Sequence, residues 1–221
     1  MRATPPRVLT TAFAAAAALP LVCGLATSAS KTASNNHRLT ADVAVARQAT
    51  AKYAIGLGRA RADGYRIITR MIPDMGWHFM NAKVKAFDVR KPMILVYERR
   101  AGRWQLGALE WVFPKKPARA PLPGARYGSF PAACHYADGT FVPAAAQSAC
   151  APRAPKTGAK FTFWHPKLVT LHLWAWYPNP SGIFSSMNPM VHPFNHGGAG
   201  RPSTPRARRH RRRSSDRAAG A

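Results

Sequence analysis

The sequence predicts an α+β domain: an N-terminal amphipathic helix packed on a small antiparallel sheet of about four strands, with a long disulfide-stapled loop. Three observations carry this prediction. Apolar residues recur at steps of three and four between positions 41 and 62. Beyond Pro73 the pattern changes to four short segments rich in β-branched and aromatic residues. Before the last of these segments lies a long proline-rich stretch that holds Cys134 and Cys150.

The first residues read as export rather than fold. Arg2 and Arg7 are followed by the charge-free run VLTTAFAAAAALPLVCGLA and then by the small residues TSAS. Basic, apolar, small is the order of a secretory signal, so residues 1–30 are expected to be a signal peptide cleaved after Ser28 or Ser30. A retained membrane anchor is the rival reading, and Pro20 and the many alanines weigh against it. The expected localisation is secreted or periplasmic. Lipid anchoring through Cys23 is not expected, because Pro20, Leu21 and Val22 precede it where a lipobox places a small residue beside the cysteine. Residues 31–39 read as a polar linker, and residues 40–191 as the single domain.

Within the domain, Thr40 can cap a helix over about 41–62 whose buried side is Val43, Ala46, Thr50, Tyr53 and Leu57. Gln48, Lys52, Arg59 and Asp63 fall on the other side. Gly56 and Gly58 each weaken such a helix by about 1 kcal/mol relative to Ala. The stretch YRIITRMI reads equally as a further helical turn or a short strand. GWHFMN, KPMILVYER, RWQLGALEWVF and LVTLHLWAWY are the four expected strands. Gly102, in the RRAG connection, can take the positive φ of a tight hairpin between the second and third. Residues 114–166 read as irregular. Once the signal is removed Cys134 and Cys150 are the cysteines left, and in an exported chain such a pair reads as a disulfide. Two thiolates binding a metal together with His135 are the rival reading, which an oxidising compartment disfavours.

The net charge is +25, and eight of the 33 basic residues lie within residues 201–221. With no apolar periodicity, residues 192–221 read as a disordered basic tail. An anionic surface, lipid headgroup or acidic polysaccharide, is the expected partner of this charge; nucleic acid is not expected for an exported chain. GC-rich coding, which raises Ala, Arg, Pro and Gly together, is the bland explanation of the same composition.

No GxSxG or HExxH motif is present, Ser185 and Ser186 have no evident base beside them, and no residue is assigned a catalytic or cofactor-binding role. Alternation along a strand places Glu110 with Trp104, Leu106 and Ala108, and His172 with Thr170, Trp174 and Trp176. Each polar group therefore sits on a face of apolar and aromatic residues, where it is expensive unless paired. With His78 on the first strand, the two imidazoles and one carboxylate make a known ligand set for a divalent metal. A hydrogen-bonded Glu–His or Glu–Arg pair that organises the core is the competing expectation. The tryptophans of FWHP and LHLWAWYPNP either fill the core or line an open face that binds sugars or lipid. Two functions stay open: a non-catalytic ligand- or surface-binding protein, and a divalent-metal-binding protein or metal-dependent enzyme using His78, Glu110 and His172.

In this order, MGWHFMN, KPMILVYER, LGALEWVF and LHLWAWYPNPSGIFSSMNP resemble an uncharacterised family of bacterial secreted proteins and lipoproteins, over roughly residues 40–191. The resemblance implies export and no known activity, substrate or cofactor. His78, Glu110 and His172 fall inside its motifs.

Overall fold

The computed structural model describes residues 23–195. The expected signal cleavage is thus described only from Cys23 onward, and residues 196–221 of the expected tail lie outside the described residues. Among the described residues no helix is long and apolar enough to cross a membrane.

The fold is mostly β, which corrects the α+β expectation of one helix on about four strands. A six-stranded antiparallel sheet has the order β1-β2-β3-β4-β9-β5, and a three-stranded sheet has the order β7-β6-β8. The strands are β1 (Arg66–Ile72), β2 (Gly76–Met80), β3 (Ile94–Arg100), β4 (Arg103–Phe113), β5 (Gly128–Phe130), β6 (Ala133–Tyr136), β7 (Phe141–Pro143), β8 (Phe161–His165) and β9 (Leu168–Leu173). The four expected strands are present as β2, β3, β4 and β9. The second sheet and β5 come from the stretch that reads as irregular. They are three to five residues long and flanked by proline, so their local signal is weak and their pairing is non-local.

The helix boundaries differ as well. Helix α1 spans Cys23–Thr50, through the residues that read as linker, and a 3-10 turn (Ala51–Tyr53) and the short α2 (Gly58–Ala62) follow it. Thr40 is no cap; its hydroxyl donates to the Asn36 carbonyl one turn back, 3.0 Å away. The helix stops because the chain leaves it to pair with β4. Gly56 takes a φ of +80°, its N–H reaches the Trp104 carbonyl at 2.8 Å, and the Leu106 N–H reaches the Ala54 carbonyl at 3.0 Å. The expected buried side is nevertheless right: Val43, Ala46, Thr50, Tyr53 and Leu57 are all buried. The last turns of α1 dock through two side-chain hydrogen bonds. Arg47 Nε donates to the Ala175 carbonyl, and Trp176 Nε1 donates to the Thr50 hydroxyl at 2.9 Å.

One face of the large sheet, with Phe79, Leu95, Tyr97, Leu109, Trp111, Leu171 and Leu173, joins these helical residues in the main core. Burying such side chains is the chief stabilising contribution, about 1.5–3 kcal/mol each. The opposite face is covered by the small sheet. Sheet contact is direct at one edge, where the Arg70 N–H of β1 donates to the Gly139 carbonyl of the β6–β7 turn at 2.7 Å. The small sheet has its own core of Cys134, Tyr136 and Ala154. Cys134 and Cys150 are disulfide-bonded with Cα atoms 5.6 Å apart, which removes the thiolate reading.

The β3–β4 hairpin turns through Ala101 and Gly102, with φ of +46° and +80°. Both residues in the left-handed region is the pattern of a type I′ turn, which suits the twist of a hairpin. His192–Asn195 forms a helical turn, α3, where the sequence reads as tail. It is tied down on two sides: His192 Nδ1 lies 2.5 Å from Asp74 Oδ1, and Arg100 stacks on Phe194 and Tyr177.

Candidate metal centre

Strand alternation carries the site. His78 and Met80 on β2, Ile94 on β3, Glu110 and Val112 on β4, and Thr170 and His172 on β9 all line one cavity between the two sheets. Its volume is about 350 Å³. The register places Glu110 directly opposite His172 across β4 and β9, and opposite Ile94 across β3 and β4. His78 stands two strands from Glu110, opposite Val96.

Glu110 and His172, which alternation singled out, and His78, which the first strand adds, are thus brought together and buried. One ligand atom from each of His78, Glu110 and His172 lies within 4.8 Å of the others. His78 Nε2 is 3.6 Å from Glu110 Oε2, and His172 Nε2 is 3.6 Å from Glu110 Oε1. Such contacts are too long for hydrogen bonds. They match the spacing of neighbouring ligands around one ion with bonds of about 2.0–2.2 Å. His78 Nδ1 is held by the Thr69 hydroxyl of β1 at 2.7 Å. Among the described residues neither ring nitrogen of His172 has a hydrogen-bond partner.

Electrostatics make this a group of neutral ligands. Burial raises the Glu110 carboxyl to about 8. Burial lowers His78 to about 3, helped by the neighbouring His172, and burial lowers His172 to about 4. An ion pair would have moved the carboxyl down and the imidazoles up. Desolvation wins, because either charged form would stand in a cavity walled mainly by Ile, Met, Val, Leu and Phe side chains.

The small sheet supplies the opposite wall. His135 of β6 and His165 of β8 face the same cavity beside Phe130 and Phe163. His135 enters the sequence reading only beside the cysteines, and His165 does not enter it. The signal that could have found them is the two-residue period of ACHY and FTFWH, which puts His135 with Ala133 and His165 with Phe163. Thr69 was hidden in a segment that reads equally as helix. The tryptophans do not line this cavity: Trp174 is in the core, and Trp164 and Trp176 donate to Ala144 and Thr50.

Comparison with known protein families, curated proteins and solved structures finds no match to this chain.

Proposed function

We propose that this is an exported, disulfide-stapled protein whose His78–Glu110–His172 group holds a divalent metal ion at the floor of an apolar cavity, where the ion anchors a small, largely apolar ligand. The observation that carries this is His172: a buried imidazole with both nitrogens lacking a hydrogen-bond partner among the described residues, its Nε2 3.6 Å from a buried carboxyl. Leaving such groups unsatisfied costs roughly 1–3 kcal/mol each. A metal satisfies them together.

The chemistry of the donor set supports the same reading. Two neutral imidazoles and one carboxylate suit zinc and other first-row divalent ions. The Thr69 hydroxyl, accepting from His78 Nδ1–H, would leave Nε2 with its lone pair toward the ion, the usual arrangement around metal-bound histidine. Three protein ligands leave a coordination position for a donor atom of a ligand in the cavity. Bound there, a metal would supply Lewis acidity; the walls select an apolar body.

A purely structural Glu–His pair fits less well, because neither contact is within hydrogen-bond distance. Export rests on the N-terminal pattern and on the disulfide, which persists in oxidising compartments. Mass spectrometry of the exported chain should find residues 1 to about 30 missing and Cys134 linked to Cys150; two free thiols would count against it.

The test of the metal is thermal unfolding of the full chain without a His-tag, alongside elemental analysis of the native protein. With zinc at about a hundredfold excess over the dissociation constant, one site adds about 2.7 kcal/mol of stability. Wild type should gain a clear rise in Tm, and Glu110→Gln, which keeps the volume, should gain much less. Equal gains in both proteins, or none in wild type with zinc, cobalt or manganese, would sink the reading.

A further inference from the structure

We propose that His135 and His165 form a second metal-ligand pair on the opposite wall of the cavity, so that the cavity takes two divalent ions. The two Nε2 atoms are 3.0 Å apart. His135 Nδ1 lies 2.7 Å from the Ile68 carbonyl, and His165 Nδ1 lies 2.6 Å from the Pro166 carbonyl. A carbonyl oxygen only accepts, so each Nδ1 must carry a hydrogen. With both rings neutral, two Nε2 lone pairs then face each other at hydrogen-bond distance with no proton between them. That arrangement is repulsive. It is relieved by a proton on one ring or by a cation bound to both.

The surroundings disfavour the proton. His135 is buried and stacks on Phe163 at 4.6 Å and 4°. Phe130 and Phe141 pack against the same ring. A metal ion suits the geometry better. Two metal–nitrogen bonds of about 2.1 Å span 3.0 Å at an angle of about 90°, as cis ligands of a six-coordinate or square site, and a slight opening of the rings admits zinc. Donation of each Nδ1–H to a carbonyl is the outer-shell hydrogen bond that orients metal-bound histidine.

The pairing of the small sheet holds both rings on one face. His135 is opposite Phe163, two residues from His165. The disulfide at Cys134 anchors β6 beside His135. His165 is only half-buried, which leaves the pair reachable from solvent. Water or the donor atom of a cavity ligand would complete the coordination. The site uses none of the residues of the first centre, so each stands or falls alone.

Zinc stoichiometry by native mass spectrometry of the full chain, with a competition titration against a chromophoric chelator, is the test. Wild type should bind two ions, His165→Ala one, Glu110→Gln one, and the double variant none. His165→Phe, which fills the space beside Phe130 and Phe163, carries the same test if the alanine variant fails to fold. Loss of one ion in the His165 variants with none lost in Glu110→Gln would leave this second site standing and remove the first. Wild-type stoichiometry in both His165 variants would overturn the second site. So would a wild type that binds one ion in all, with that ion lost from the Glu110 and the His165 variants alike, because all five groups would then form one centre.

Discussion

Glu98 is buried, and neither carboxylate oxygen has a hydrogen-bond partner among the described residues. Burial raises its carboxyl from 4.5 to about 7, against the opposing charge of Arg100. Between those values the folded chain keeps a proton that the unfolded chain has released. Its contribution to stability is therefore present below about 4.5 and lost as the pH rises to about 7. Glu98→Gln has no such proton, so its stability relative to wild type should climb across that window in urea unfolding. Taking the difference cancels Glu110 and the histidines, which titrate in both proteins; a flat difference would mean that the carboxyl is solvated. Gly76 is a second sensitive position. It adopts a φ of +113°, and a Cβ there would stand 2.3 Å from the Tyr97 carbonyl oxygen. Gly76→Ala should cost about 3 kcal/mol or more and should weaken zinc binding by displacing His78, two residues on. An unchanged Tm would show that β2 shifts freely against β3. At this scale the sequence was informative. Alternation put Glu110 and His172 on apolar faces, because each lies in a strand long enough to show its period, and His78 joined them only as a polar group on another aromatic strand. Whether those faces coincide depends on register, which no residue announces.

At the scale of elements, legibility followed length. β3 and β4, of seven and eleven residues, are rich in apolar residues and joined by a glycine turn, and both were readable. β5 to β8 were not, although β6 and β8 position half of the cavity's histidines. Strands this short acquire their stability from partners distant in sequence and from the disulfide. The end of α1 was hidden for a related reason: the period of Val43, Ala46, Thr50, Tyr53 and Leu57 continues past Thr50, while the backbone turns at Gly56 to pair with β4. The disulfide gives the element-scale prediction. It closes a loop with a sequence separation of 16, worth about 3 kcal/mol on the chain-entropy account. Cys134→Ser with Cys150→Ser should lose roughly that in chemical denaturation. The loss should fall on the small sheet first, so amide exchange in β6 and β8 should accelerate more than in β3 and β4. Uniform acceleration would mean that the two sheets unfold as one unit.

For the whole molecule, the two sheets enclose a largely apolar cavity that faces their own histidines, and the chain as a whole carries a strong positive charge. These features call for different partners: the cavity accepts something small and apolar, whereas a net charge of +25 attracts extended anionic surfaces. The charge is partly concentrated at residues 201–221, outside the described residues. Eight arginines with no apolar face to bury cannot add much to a core, so ending the chain at residue 200 should leave the Tm nearly unchanged. It should weaken retention on heparin or on vesicles containing anionic lipid. Retention of the full chain should also fall steeply with salt, because the screening length shrinks from about 10 Å at 0.1 M to about 3 Å at 1 M. Zinc binding, shielded inside the cavity, should hardly respond to the same truncation. Vesicles of zwitterionic lipid make the control. If the full chain bound them equally well, or if the shortened chain kept its heparin affinity, the basic composition would be a by-product of coding bias and no anionic partner would be needed.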